Sequence, residues 1–227
     1  KKIVSQVKNV ERRFDKFAGK VGKFGKTVEK YGQTMTAKFT APLLAAGTAA
    51  VKFSSDSETA TQNFLSATGI MGDAVEDGVT NAEKYRDMME DIFKGNYYES
   101  IEDVADAMGK VKQNMDYLDD SALQRVTEYA NVMADTFGVD VAESTRAADS
   151  LIQHFGVSAR EAFNLMSQGA QQGLDFSGEL YDNIDEYSVQ FQKLGLSAED
   201  MFNIFSAGAE NGAFNLDKIG DAVKEFS

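Results

Sequence analysis

Phe155-Gly156-Val157-Ser158-Ala159-Arg160-Glu161 reads as the end of one helix and the start of the next. Phe155 closes the first helix and Gly156 supplies the left-handed residue beyond its end. Val157 covers the joint, and Ser158 with Glu161 three residues on has the form of a capping box. The same grammar recurs at Phe137-Gly138-Val139-Asp140-Val141-Ala142-Glu143 and at Leu194-Gly195-Leu196-Ser197-Ala198-Glu199-Asp200, and Ser100-Ile101-Glu102-Asp103 after Gly95 is a further start. Between these marks, apolar residues at helical spacing predict helices near 79–94, 101–117, 121–137, 140–155, 158–172, 179–194, 197–210 and 216–226. Met201, Ile204 and Phe205, then Leu216, Ile219, Val223 and Phe226, read as core stripes. The Gly-to-Gly spacings, 18 from 138 to 156 and 39 from 156 to 195, are unequal, which favours recurring local grammar over a fixed-period solenoid. The expected fold class is all-α: a heptad-patterned long helix at the N-terminus, then an irregular multi-helix domain of short capped helices. A single Pro, no Trp and abundant Ala, Lys, Glu, Asp and Gln point to helices joined by Gly-rich junctions, with almost no strand.

Ahead of these helices lies the most regular pattern in the chain. Ile3, Val7, Val10, Phe14, Phe17, Val21, Phe24, Val28, Tyr31 and Met35 are spaced alternately four and three apart, a heptad repeat with Ile3, Val10, Phe17, Phe24 and Tyr31 at a and the others at d. As a helix this arm would be about 50 Å long and supercoil to the left. One chain cannot bury such a stripe alone, so these ten residues are the candidate oligomerisation seam, and their bulky aromatics favour a bundle of more than two helices. Gly19, Gly22, Gly25 and Gly32 each cost up to about 1 kcal/mol relative to Ala, which makes the arm dependent on partners. A long surface helix folded back on the body, or a basic amphipathic helix lying on a membrane, would satisfy the same pattern.

Charge separates the arm from the body. Residues 1–40 hold eleven Lys or Arg against three Asp or Glu, whereas 41–227 hold twelve against thirty-three, within a net charge of −13. Thr40-Ala41-Pro42 interrupts the helix, because Pro lacks the amide donor and disfavours the α conformation before it. The expected division is therefore a basic helix over 1–41 and an acidic α-helical domain over 42–227, with a possible subdivision near 69–100. The apolar run 43–51 ends at Lys52, far short of the roughly 20 residues that cross a bilayer, and reads as a closely packed helix start. The start at Lys1 without Met and the stop inside the helical pattern 223–227 give the chain the look of a piece of something longer.

Catalytic and metal chemistry are poorly provided for. With no Cys and one His, His154, the chain has no disulfide framework, thiolate zinc site, Cys nucleophile or multi-histidine metal centre. His154 sits at a helix end, where it complements the helix dipole. Gly25-Lys26-Thr27 mimics the end of a phosphate-binding loop, but position 20, where the motif requires Gly, is Lys20, and the heptad seam runs through the stretch. Carboxylate groups such as Glu102, Asp103 and Asp106, or Asp182, Asp185 and Glu186, have the chemistry of a glycosidase pair, yet every helix carries similar pairs, so they read as solvated faces. None has the alternating ligands and central Gly of an EF-hand loop. Tyr97-Tyr98 reads as core packing in preference to a contact patch. No catalytic residue, cofactor or metal site is expected, and an acidic body does not suit nucleic-acid binding.

Tyr31-Gly32, Thr40-Ala41-Pro42-Leu43-Leu44-Ala45-Ala46-Gly47, Ala49-Ala50-Val51-Lys52-Phe53 and Asp56-Ser57-Glu58 resemble, in that order, the start of the conserved region of the tail tape measure proteins of long-tailed bacteriophages. The helix start at 194–200 and Asn211-Gly212-Ala213-Phe214-Asn215-Leu216-Asp217 are similar to recurring segments of the same family, so the resemblance covers about 31–227. Residues 69–100 depart from it, lacking the Ser/Thr-rich helix lead-in. The resemblance implies a non-enzymatic scaffold that self-associates into a helical bundle along the tail axis. Tube subunits polymerise around it, chain length sets tube length, and the protein leaves before the DNA. It further implies the tail tube, the tail tip or baseplate hub and tail assembly chaperones as partners, assembly in the host cytoplasm, and a final place in the tube lumen of the virion. Related proteins serve contractile-tail bacteriocins and prophages. The alternatives are an envelope-interacting helical protein that contacts the host membrane and, further off, a cell-wall hydrolase.

Overall fold

Side-chain capping marks the start of seven helices in the computed structural model, which describes residues 47–76, 79–95 and 98–227, with side chains from residue 53 onward. The order is α1 (Gly47–Thr68), β1 (Val75–Glu76), β2 (Val79–Thr80), α2 (Asn81–Lys94), α3 (Ile101–Asn114), α4 (Asp120–Phe137), α5 (Val141–Phe155), α6 (Ala159–Gln171), α7 (Leu180–Lys193), α8 (Ala198–Glu210) and α9 (Leu216–Phe226). The fold is all-α apart from the antiparallel β1–β2 pair, in which Val75 faces Thr80 and Glu76 faces Val79. Thr80, Ser100, Ser158 and Ser197 each form a reciprocal capping box with the acid three residues later. Asp119, Asp140 and Asn215 cap through one side-chain bond to a backbone amide. At Gly138 and Gly156 the chain leaves the helix through a positive φ, 74° and 69°, where a side chain would be strained.

The helices stack in two layers. Odd-numbered helices pack in the order α1, α3, α5, α7, α9, even-numbered ones in the order α2, α4, α6, α8, and each helix also packs on its neighbours in sequence. The even helices start at a fixed interval, since their caps Thr80, Asp119, Ser158 and Ser197 are 39 residues apart in every case. The odd caps Ser100, Asp140, Glu179 and Asn215 are spaced 40, 39 and 36. The residue after each odd cap, Ile101, Val141, Leu180 or Leu216, is buried. The chain is thus a quasi-one-dimensional stack of helix pairs, each covering its apolar face on the next. Unequal Gly spacing conceals this period because Gly138 ends an even helix whereas Gly156 and Gly195 follow odd ones.

Four sequence expectations need adjusting. The domain expected to be irregular, without a fixed period, has even-helix caps that recur every 39 residues. The helix expected from 79 begins at Asn81, because Val79 and Thr80 complete the β pair and Thr80 is the cap. The helix expected to reach 117 ends at Asn114, where Met115 leaves helical geometry with φ −134° and ψ 63° and its side chain is buried. Phe226, expected in the core, is 80% exposed, because none of the described residues packs over it.

Ser158 accepts from the Glu161 amide at 3.3 Å while Glu161 accepts from the Ser158 amide at 2.9 Å. The Ser158 amide, then the Ser158 hydroxyl, which donates to Glu161 Oε2 at 2.8 Å, hold the Glu161 carboxyl below its ordinary value. Ser158→Ala is expected to lower stability by about 1 kcal/mol and Ser158→Asp by much less, as measured by chemical denaturation.

Candidate interaction surface

The expected seam from Ile3 to Met35 lies outside the described residues, so the functional geometry is that of the helix stack. Its odd layer is joined step by step through polar contacts. Asn114 on α3 donates to the Ala142 carbonyl at 2.9 Å and to Thr145 Oγ1 at 2.7 Å on α5. Lys110 Nζ stands 3.2 Å from Asp106 and 3.1 Å from Asp140. Arg146 on α5 lies 3.6 Å from Asp182 and 4.0 Å from Asp185 on α7, and Ser150 donates to Asp185 as well. Tyr187 on α7 donates to Asp217 at 2.7 Å and Asp221 at 3.1 Å on α9, beside a Lys224–Glu186 pair at 3.9 Å. The exposed ion pairs each contribute only about 0–1 kcal/mol. Their consequence is register: each odd helix is keyed to the next by specific side chains.

These contacts account for the carboxylates singled out in the sequence except Glu102, which is exposed in the first turn of α3. Asp103 is spent on the Ser100 cap and Asp106 on Lys110, while Asp182, Asp185 and Glu186 face Arg146 and Lys224. They serve a solvated, cross-linked face. Burial, then the neighbouring Asp182 and Asp175, pushes the half-buried Glu143 carboxyl up. Burial outweighs hydrogen bonding at Glu128 in the same direction. At Asp140 burial works against ionisation, but the Ala142 amide and Lys110 prevail and hold the carboxyl below its ordinary range. Tyr117, bonded to Asp149 at 2.7 Å, is pushed up to about 12 by burial and by that carboxylate.

Among the described residues no group of three or more His, Asp or Glu is placed to hold a metal ion. No described helix is long and apolar enough to cross a membrane. His154 occupies the last turn of α5, half-buried, as its dipole position implied. Tyr98 packs against the core, and its hydroxyl donates to the Thr127 carbonyl at 3.1 Å, which supports the packing reading; Tyr97 lies outside the described residues.

Apolar exposure gathers in two places that the sequence analysis did not expect to be exposed. Met71, Val75 and Val79 are exposed around the β pair, and Phe214 and Phe226, at 86% and 80% exposure, flank α9. Asp77-Gly78 between two Val residues is a hairpin signal that would have flagged the first. A 39-residue comparison would have exposed the second. Ser158-Ala159, Phe163-Asn164, Ser167, Gly169-Ala170 and Gly173 reappear as Ser197-Ala198, Phe202-Asn203, Ser206, Gly208-Ala209 and Gly212. That register places α8 in the same series as α6.

A family model described as "Phage-related minor tail protein" matches residues 83–227, from the first turn of α2 to the end of α9. No curated protein and no solved structure matches the chain.

Proposed function

The chain belongs to the phage-related minor tail protein family, and on that premise we propose that it is a tape measure, a scaffold whose length sets the length of the tail tube and which is ejected ahead of the DNA. Membership makes it a structural component of a phage tail. The observation that carries the finer reading is that the family match lies on a modular stack of helix pairs. Each pair buries its apolar face on a neighbour, so units are added or removed without redesign of a single core. A ruler whose length has to vary between relatives needs that property, and an enzyme built around one site does not. The basic heptad seam from Ile3 to Met35 supplies the means for several copies to bundle along the tail axis inside the tube lumen. Tube subunits, the tip or baseplate hub and the assembly chaperones are the partners this role requires.

The test is tail length by electron microscopy of particles carrying a protein that lacks residues 119–196, or carries them twice. Both changes join equivalent caps, Asp119 and Ser197, and preserve the stacking register. Tails are expected to shorten and lengthen by equal amounts. The change is about 120 Å if the segment lies in the tube as extended helix at 1.5 Å per residue, and about 20 Å if the layers persist at 8–10 Å each. Tails of unchanged length in both variants would overturn the ruler reading while leaving family membership intact.

A further inference from the structure

We infer that the joint between α5 and α7 takes up a proton, which completes a hydrogen-bond chain from Glu143 through the Tyr181 hydroxyl to Asp175 and tightens the docking of α7. Glu179, at the cap position of α7, makes no side-chain cap bond, unlike Ser100, Asp140 and Asn215 at the equivalent positions. Asp175 takes over, accepting from the Leu180 amide at 3.1 Å from within the longest described connection between an even helix and the next odd one. Arg146, one turn beyond Glu143 on α5, lies 3.6 Å from Asp182 in the first turn of α7. These two anchors bring three carboxylates and one buried phenol to the start of the joint.

Tyr181 is 2% exposed and its hydroxyl has no hydrogen-bond partner, which is costly for a buried polar group. Burial, then the charges of Asp175 and Glu143, push that hydroxyl up, so its proton stays on. The phenol offers one O–H and one accepting oxygen to two half-buried carboxylates that, when ionised, can only accept. A chain through it needs one proton more. Glu143 is the group placed to take it, because burial, Asp182 and Asp175 disfavour its charge by more than Arg146 restores. Neutral Glu143 donates to the Tyr181 oxygen, and Tyr181 donates to Asp175. The other charged groups around Glu143 leave this balance in place. Asp140 on its own helix adds to the repulsion, Lys110 of α3 is spent on Asp106 and Asp140, the last turn of α4 carries only the exposed Asp135, and the last turn of α6 is uncharged. A carboxyl raised in the folded chain adds nothing at high pH. It adds stability as pH falls through its folded value, in full below its ordinary value of 4.5. Asp140, held low, acts in the opposite sense, but only as pH falls below its ordinary value of 3.8, so the two windows are separate. Glu128 on α4 shares the sign of Glu143, so the test has to follow Glu143 itself.

The experiment is a carboxyl titration by nuclear magnetic resonance of the whole chain with labelled Glu side chains, the Glu143 signal being assigned by its loss in Glu143→Gln. Its midpoint should lie above the ordinary Glu value and fall towards that value in Tyr181→Phe, because the neutral acid has lost its acceptor. Were Tyr181 a donor to ionised Glu143, removing the hydroxyl would raise the midpoint. Glu143→Gln supplies a donor at every pH. At about pH 8 it should therefore melt about 2 °C above the unsubstituted chain, and the gap should narrow towards about pH 5. A Glu143 midpoint at or below the ordinary value, a midpoint unchanged or raised in Tyr181→Phe, or a Glu143→Gln chain no more stable than the unsubstituted one at about pH 8 would each overturn the proposal. None of these outcomes bears on tail length, so the ruler reading stands or falls separately.

Discussion

Phe191→Ala is expected to lower stability by about 3–5 kcal/mol, with the loss concentrated in α7 to α9. Phe191 is fully buried on α7 and meets Phe205 of α8 edge to face, with ring centroids 5.6 Å apart and planes at 75°. Truncation removes that aromatic contact and leaves a cavity between the two layers, and Tyr187, one turn before Phe191 on α7, and Met201, one turn before Phe205 on α8, are themselves buried and cannot close it freely. In a single-core protein the whole fold would share such a loss. In a stack of pairs each unit touches only its neighbours, so α1 to α4 keep their own interfaces. Hydrogen exchange should therefore show protection falling over 180–226 and persisting over 101–137. Equal loss along the whole chain would refute the one-dimensional description. Phe191→Leu, which keeps most of the volume, should cost about 1.5 kcal/mol or less.

How far the sequence carried this picture depends on which signal each element used. Helix starts were legible to within about two residues because capping is written locally: Ser100 with Asp103, Ser158 with Glu161 and Ser197 with Asp200 state the start in four letters. The 39-residue period was far less visible, because its markers are physically equivalent but chemically different. Thr80, Asp119, Ser158 and Ser197 all accept from a helix-start amide, yet only three have an acid three residues on, and the position 39 before Gly156 is Tyr117. Phe226 was misplaced for a related reason. Helical periodicity identifies an apolar face but carries no information on whether a neighbour covers it. The keying contacts of the odd layer, such as Asn114 to Thr145 and Tyr187 to Asp217, join residues about 30 apart, and no local pattern announces them.

Modularity and keying bear on function together. Packing between pairs is largely apolar and would tolerate slippage, whereas Lys110 with Asp140, Arg146 with Asp182 and Tyr187 with Asp217 admit one register each. On the proposed ruler reading, reproducible spacing between units matters more than deep stability. Weak, exposed, specific contacts supply spacing without locking the stack.

The last of these keys can be tested through a residue that makes no polar contact. Gly220 is buried on α9, and a Cβ there would run into the Tyr187 ring at Cγ, Cδ2 and Cε2. The ring has little freedom to yield, because it is 1% exposed and its hydroxyl is bound to Asp217 and Asp221 on either side of Gly220. Helix propensity alone would make Gly220→Ala stabilising by up to about 1 kcal/mol. Overpacking at about 1–3 kcal/mol, with loss of the hydrogen bonding of the single proton that the Tyr187 hydroxyl shares between the two carboxylates at about 1.5–3 kcal/mol, outweighs it. The expected net effect is a loss of about 2–4 kcal/mol in the docking of α9, read as faster amide exchange over 216–226. Gly109→Ala supplies the opposite sign. Gly109 lies within α3 with nothing within 4 Å of the added Cβ, so the same substitution there should stabilise by about 0.5–1 kcal/mol. If both substitutions stabilise, Tyr187 moves aside readily and the α7–α9 joint is held by something other than its fixed ring. Opposite signs would establish that close approach of the two helices, which only Gly allows at position 220, is what seats the last helix of the stack.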